Sequence, residues 1–342
     1  MKLPWVFCAI LLLPVLTAFA AGPVVSETAP YPTIGQIVRV DPALDGLLPA
    51  AAKIEKLAEG FQWAEGPVWM PKEQQLAFSA TRENIAYRWR EGIGVEVFLH
   101  PSGLTDTNGV YNGREPGSNG LTIDSEGRLV LCQHGDRRVA RLNPDGKTFA
   151  TIADRYDGKR FNSPNDLCFD RKGNLYFTDP PYGTGPSTVR EMDYCGVFRV
   201  TPDGKVTLLT KELDRPNGIA LSPYQHTLYV ANSTRQRPVL MAYELKDDGT
   251  LGPGRVFFDA APLYGTGYRG VPDGLRVDQH GNLWANGPGG ILIISAEGKH
   301  LGTISPGTAT ANCAFGDDGS TLFIAADMYL CRVRTKTKGC GF

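Results

Sequence analysis

Histidine is scarce in this chain, with five in 342 residues. Cysteine is thinly spread: beyond Cys8, the chain has Cys132, Cys168, Cys195, Cys313, Cys331 and Cys340, and no two form a Cys-x-x-Cys. Zinc held by thiolates and imidazoles therefore has little to draw on. Cys132, Cys168 and Cys313 lie in apolar strands and read as buried, inert thiols. A bridge from Cys340 to Cys313 or Cys331 is open in an oxidising compartment. No basic excess exists, since Lys+Arg number 35 against Asp+Glu 36, and no Lys/Arg run occurs. Nucleic acid is thus not an expected partner. After the N-terminus no segment is long and apolar enough to span a membrane.

The N-terminus is the exception. Lys2 precedes an apolar run that ends in Ala18-Phe19-Ala20, the pattern of a secretory signal peptide cleaved near Ala20 or Ala21. An uncleaved anchor is the rival reading, but the run is short for the ~20 residues of a span. The division expected is residues 1–20 as signal peptide, 21–52 as N-terminal leader and 53–342 as one domain, in a periplasmic or secreted protein. Asp41 to Ala52 has room for one short helical turn.

What the chain has in quantity is glycine and proline, 40 and 25 residues, which suits short strands joined by tight turns. It also repeats. Asn165-Asp166-Leu167-Cys168-Phe169 alternates as a strand does, turns on Arg171-Lys172-Gly173-Asn174, and returns to Asp179. In such a hairpin Asn165 and Asp179 share one end. The same block starts at Glu65, Asn119, Asn217, Asp273 and Asn312, spaced about 40 to 55 residues apart in the range of propeller repeats. Turn-forming Asn-Pro-Asp-Gly and Pro-Asp-Gly segments punctuate the intervening strands. Six copies of about four strands each predict an all-β fold, a six-bladed β-propeller of four-stranded blades.

In a propeller the first strand of each blade lines the central channel, so the first residue of each block is one structural position seen six times. Those residues are Glu65, Asn119, Asn165, Asn217, Asp273 and Asn312, all oxygen-bearing. Turn capping explains any one of them. Together they suit a hard divalent cation, calcium first, which takes six to eight oxygen ligands. The ends of the second strands, Ser79, His134, Asp179, Asn232, Asn286 and Asp327, should ring the same mouth. Among these His134 is singled out as a ligand-contacting residue, against a structural role. Arg114, just before a channel position, is placed to reach a polyol or carboxylate, with a surface salt bridge as the alternative.

Several segments resemble a known family. Glu65-Gly66-Pro67-Val68-Trp69, Arg160-Phe161-Asn162-Ser163-Pro164-Asn165-Asp166, Phe177-Thr178-Asp179-Pro180-Pro181-Tyr182-Gly183, Arg215-Pro216-Asn217-Gly218 and Pro272-Asp273-Gly274 are similar to the gluconolactonase branch of the senescence marker protein-30/gluconolactonase/luciferin-regenerating-enzyme-like family. Exported bacterial members share Arg114-Glu115-Pro116-Gly117-Ser118-Asn119-Gly120 and Val333-Arg334-Thr335-Lys336-Thr337. The resemblance runs from about Ile34 to Lys338. It implies a six-bladed propeller with a channel metal, often calcium, with zinc, manganese or magnesium as alternatives. It implies Glu65, Asn165, Asn217 and Asp273 as metal ligands, and so removes Asn119 and Asn312 from the ring of six. It also implies Asp273 as general base, with His134 competing for that role because imidazole titrates near neutrality. The reaction implied is hydrolysis of a sugar lactone, such as glucono-1,5-lactone, with Asn165, Arg114, Asn119 and His134 facing substrate. A phosphotriesterase or fluorophosphatase-like hydrolase and a non-enzymatic binding propeller are the competing classes. A monomer or weak homo-oligomer is expected.

Overall fold

A computed structural model describes Met1 and residues 31–106, 111–264 and 267–342. The signal-peptide reading of residues 1–20 and the leader as far as residue 30 lie outside the described residues. Six antiparallel sheets of four or five strands make up the fold, together with a two-stranded ribbon at Arg155–Tyr156 and Lys159–Arg160.

Each block found in the sequence supplies the two innermost strands of one blade. The innermost strands are Ala64–Met70, Ser118–Ile123, Leu167–Phe169, Pro216–Leu221, Leu275–Val277 and Asn312–Gly316. Each meets the next, and the last meets the first, which closes the ring. The hairpin that begins at Asn165 forms as read, with Leu167 opposite Phe177 and Phe169 opposite Leu175. Asn165 N–H donates to the Thr178 carbonyl at 2.8 Å, and Gly173 closes the turn at φ +82°.

Closure uses the N-terminus. Ile54–Glu59 pairs with Tyr329–Arg334 of blade 6, so this segment is the outer strand of the last blade. In the division read from the sequence it opens the 53–342 domain. Within the 21–52 segment, Thr33–Ile34 adds to blade 6 beside Ile54–Glu59 and Gln36–Arg39 adds to blade 5 beside His300–Ser305. The expected helical turn is a 3₁₀ turn at Pro42–Gly46, capped by Asp41, which accepts from Ala43 N–H at 2.9 Å. Velcro-like pairing of chain ends is invisible to repeat counting because the closing strand is far in sequence from its partners.

The core lies between blades. Alternation along each strand turns every second side chain toward a neighbouring sheet. Trp69 of blade 1 stacks on Phe323 of blade 6 at 5.7 Å between ring centroids, and Phe177 stacks on Phe198 within blade 3 at 5.4 Å. Cys313 and Cys331 are buried in the core, and all six cysteines from Cys132 on are free. The bridge left open from Cys340 is therefore not formed.

Near the axis the blades approach so closely that side chains do not fit. Gly66 sits at a bulge with φ +48°, and a Cβ there would lie 2.0 Å from the Asn119 carbonyl oxygen of blade 2. Gly66→Ala should therefore destabilise the fold by well over ~1 kcal/mol, read as a lower urea midpoint. An unchanged midpoint would show that the inner strands move apart freely.

Candidate active site

The bulges have a consequence for chemistry. Bulges at Glu65, Asn119 and Asn217 bring these residues to the channel, and Asp273 stands there just before the strand Leu275–Val277; all four are less than 10% exposed. Asn165 joins them, 2% exposed, at the end of its hairpin. Asn165 Nδ2 donates to Asn217 Oδ1 at 2.6 Å. That bond orients both amides and leaves Asn165 Oδ1 without a partner. Asp273 Oδ1 and Asn119 Oδ1 are likewise buried and unpartnered, as are both ring nitrogens of His134. Buried polar atoms without partners are uncommon in folded proteins, and two of these, Asn165 Oδ1 and Asp273 Oδ1, belong to the channel ring.

The electrostatics point the same way. Burial pushes the Glu65 carboxyl well above the usual range, and Asp166 and Glu115 add to the rise against hydrogen bonds from Gly66 N–H and the Asn312 side chain. Asp273 is raised strongly, first by burial and then by the negative charge of Glu65 and Asp166. Two carboxylates held together out of water are stable as anions only beside a cation. Glu65, Asn165, Asn217 and Asp273 therefore fit a hard divalent ion: two carboxylates and two amide oxygens, two of their oxygens lacking any other partner. No group of three or more His, Cys, Asp and Glu side chains suited to a metal occurs among the described residues, so the amides are needed to complete a ligand set.

A third carboxylate, Asp166, lies beneath this layer and is fully buried. Arg276 Nη1 stands 3.4 Å from its Oδ2, and Asn312 Nδ2 is also 3.4 Å from that oxygen. Asn312 Oδ1 accepts from Cys313 N–H at 2.9 Å. Asn312 thus contacts Asp166, its own backbone and the Glu65 carboxyl, whereas the Oδ1 of Asn119 is free.

His134 is completely buried. Glu115 Oε2 stands 3.4 Å from its Nδ1, an ion-pair distance. The segment after Asp179 covers it: a Cβ on Gly183 would lie 2.5 Å from His134 Cβ. Tyr111 Oη bridges the carbonyls of Glu115, at 2.8 Å, and Gly183, while Gly183 N–H donates to Ser163 Oγ at 2.7 Å. Pro180-Pro181-Tyr182-Gly183 thus forms part of the cover over the mouth. Tyr182 carries Arg215 over its ring at 5.4 Å.

The family model for the SMP-30/gluconolactonase/LRE-like region matches residues 63–327. The chain belongs to the SMP-30/gluconolactonase/LRE-like family. It is 43% identical to a gluconolactonase of Zymomonas mobilis over 314 residues, 90% of this chain and 88% of that one. It is 33% identical to a lactonase, drp35, of Staphylococcus haemolyticus over 54% of this chain and 55% of that one. Among solved structures, a gluconolactonase from Xanthomonas campestris superposes with a TM-score of 0.78 at 31% identity, covering 90% of this chain and 99% of that chain.

In this family member the structure gathers Glu65, Asn119, Asn165, Asn217, Asp273 and His134 at one end of the channel. Arg114 is exposed on the loop that carries Glu115, with no ion pair among the described residues. Most second-strand ends hold the backbone in place. Ser79 Oγ donates to the Asn119 carbonyl at 2.8 Å, Thr178 Oγ1 to the Asn217 carbonyl at 2.7 Å, and Ser233 Oγ to the Pro272 carbonyl. Each hydroxyl reaches from one blade to the residue that presents a site side chain on the next, or to its neighbour. Asn286 Nδ2 donates to the Gly274 carbonyl at 2.6 Å.

Asp179 reads in the sequence as a rim residue and is instead fully buried. Its two oxygens accept the N–H groups of Asn162 and Ser163, each at 2.7 Å. It anchors the segment that leads to Asn165. Asp179→Asn keeps the shape but sets an NH₂ against one N–H, so stability should fall by ~1–3 kcal/mol. The check is urea unfolding, and an unchanged midpoint would remove Asp179 from this role. Glu115, Asp166, Thr178 and Ser233 were not foreseen as site residues. Asp166 did carry a signal: it stands where four other copies have glycine.

Proposed function

We propose that this site hydrolyses a sugar lactone, glucono-1,5-lactone or a similar aldonolactone, to the aldonic acid with a divalent cation held by Glu65, Asn165, Asn217 and Asp273. Membership of the family and 43% identity to a gluconolactonase make the chain a lactone hydrolase; the particular lactone, the metal and the steps are the proposal. The observation that carries it is the pair of buried carboxylates facing unpartnered amide oxygens.

Calcium is the first candidate and would supply a Lewis acid for the lactone carbonyl. Asp273, with Oδ1 free, takes the proton of the attacking water. The ring C–O bond then breaks and the departing ring oxygen receives that proton, which leaves the open aldonic acid. His134 and Glu115 form the competing acid–base pair, and Asn119 and Arg114 are left to hold hydroxyls of the substrate. The apolar run before Ala20 supports export, to the periplasm or beyond, as the setting for this chemistry.

A pH-stat assay on aldonolactones and phosphotriesters, with and without calcium, tests the reading. Calcium-dependent acid release from a sugar lactone is expected. Turnover of phosphotriesters alone would move the chain to the competing hydrolase class, and no turnover of either would leave a binding propeller.

A further inference from the structure

The channel does not end at the carboxylates. Beyond Arg276 lies a cavity of ≈ 570 Å³, lined by side chains further along the innermost strands of all six blades: Val68, Ile123, Phe169, Leu221, Val277 and Phe315. These six are apolar, and none belongs to the site above. The volume falls within the ~300–1,000 Å³ typical of small-molecule sites. Residues Gly339 to Phe342 border it.

Three charged side chains line this space, Arg171, Arg276 and Asp317, of which Asp317 pairs with Arg334 and Arg171 donates to the Pro223 carbonyl at 3.0 Å. Arg276 lines the cavity, and 21% of its side-chain surface is accessible although it sits deep in the channel. Its Nη1 donates to the Leu275 carbonyl at 2.7 Å and contacts Asp166 Oδ2 at 3.4 Å. Its Nε and Nη2 bond to no described residue. A guanidinium with unused parallel donors is suited to a carboxylate. A chamber with an apolar residue from every blade and a guanidinium edge with free donors is the complement of an amphiphile with an anionic head.

We infer that the chamber is a second binding site, distinct from the lactone site, for a monocarboxylate with an apolar chain. Its carboxylate meets Arg276 Nε and Nη2, and its chain lies along Ile123, Phe169 and Val277.

Isothermal titration of the full chain with decanoate tests this. Saturable binding of one decanoate per chain is expected, with decanol at least tenfold weaker. Absence of saturable binding overturns the site, and equal affinity for decanol overturns the role of Arg276. Ile123→Trp, which fills the chamber, should weaken decanoate at least tenfold while lactone hydrolysis stays unchanged. If that variant does not fold, competition on the unaltered protein decides. Decanoate that leaves the KM for lactone unchanged supports the chamber; decanoate that competes with lactone binds at the mouth and overturns it. The outcome does not depend on which lactone is hydrolysed.

Discussion

Asp273→Asn should lose roughly 100- to 10,000-fold in kcat on glucono-1,5-lactone, the span that one general acid–base group contributes. The substitution keeps the shape and one oxygen for a cation but removes the ability to accept a proton. Two opposed effects set the basicity of Asp273. Burial, Glu65 and Asp166 push its carboxyl up, and a bound cation pushes it down. The measurement belongs at saturating calcium, because Asn also weakens cation binding. His134→Gln is the companion variant. Its imidazole has Glu115 at 3.4 Å and no hydrogen bond of its own, so a loss in KM larger than that in kcat is expected for a residue that holds substrate. Full turnover by Asp273→Asn with metal still bound would sink its assignment. A kcat collapse confined to His134→Gln would transfer the role to the imidazole.

Chelation should be as severe. Stripping divalent metal with EDTA is expected to abolish lactone hydrolysis, and calcium should restore it. Heat stability should fall with the metal, because any ligand that binds only the folded state stabilises it, by ~2.7 kcal/mol at a hundredfold excess over Kd. The physical reason is the site's own charge. Without a cation, Glu65 and Asp273 are both buried carboxylates, and burial and Glu65 push the Asp273 carboxyl up. Glu65→Gln should weaken calcium binding while easing that repulsion. It is therefore expected to lose activity at low calcium yet to tolerate EDTA better in thermal melts than the unaltered chain. Undiminished hydrolysis in metal-free protein would defeat the cation scheme for this site.

The sequence by itself determined the repeat, and with it most of the architecture. Alternation and Gly/Pro punctuation are local signals, and six copies of one pattern fix six strands at one axis before any contact is known. Because Glu65, Asn165, Asn217 and Asp273 occupy equivalent places in their copies, their convergence was legible too. Three things were decided only by the tertiary structure. Ile54–Glu59 closes blade 6, since a strand's partner at the far end of the chain leaves no trace in local periodicity. Asp179 braces Asn162 and Ser163 instead of lining the mouth, since a carboxylate's role depends on which N–H groups surround it. Asp166 is buried beside Arg276, 110 residues away in sequence; that pairing depends on side chains meeting across the channel axis, which strand spacing alone cannot specify.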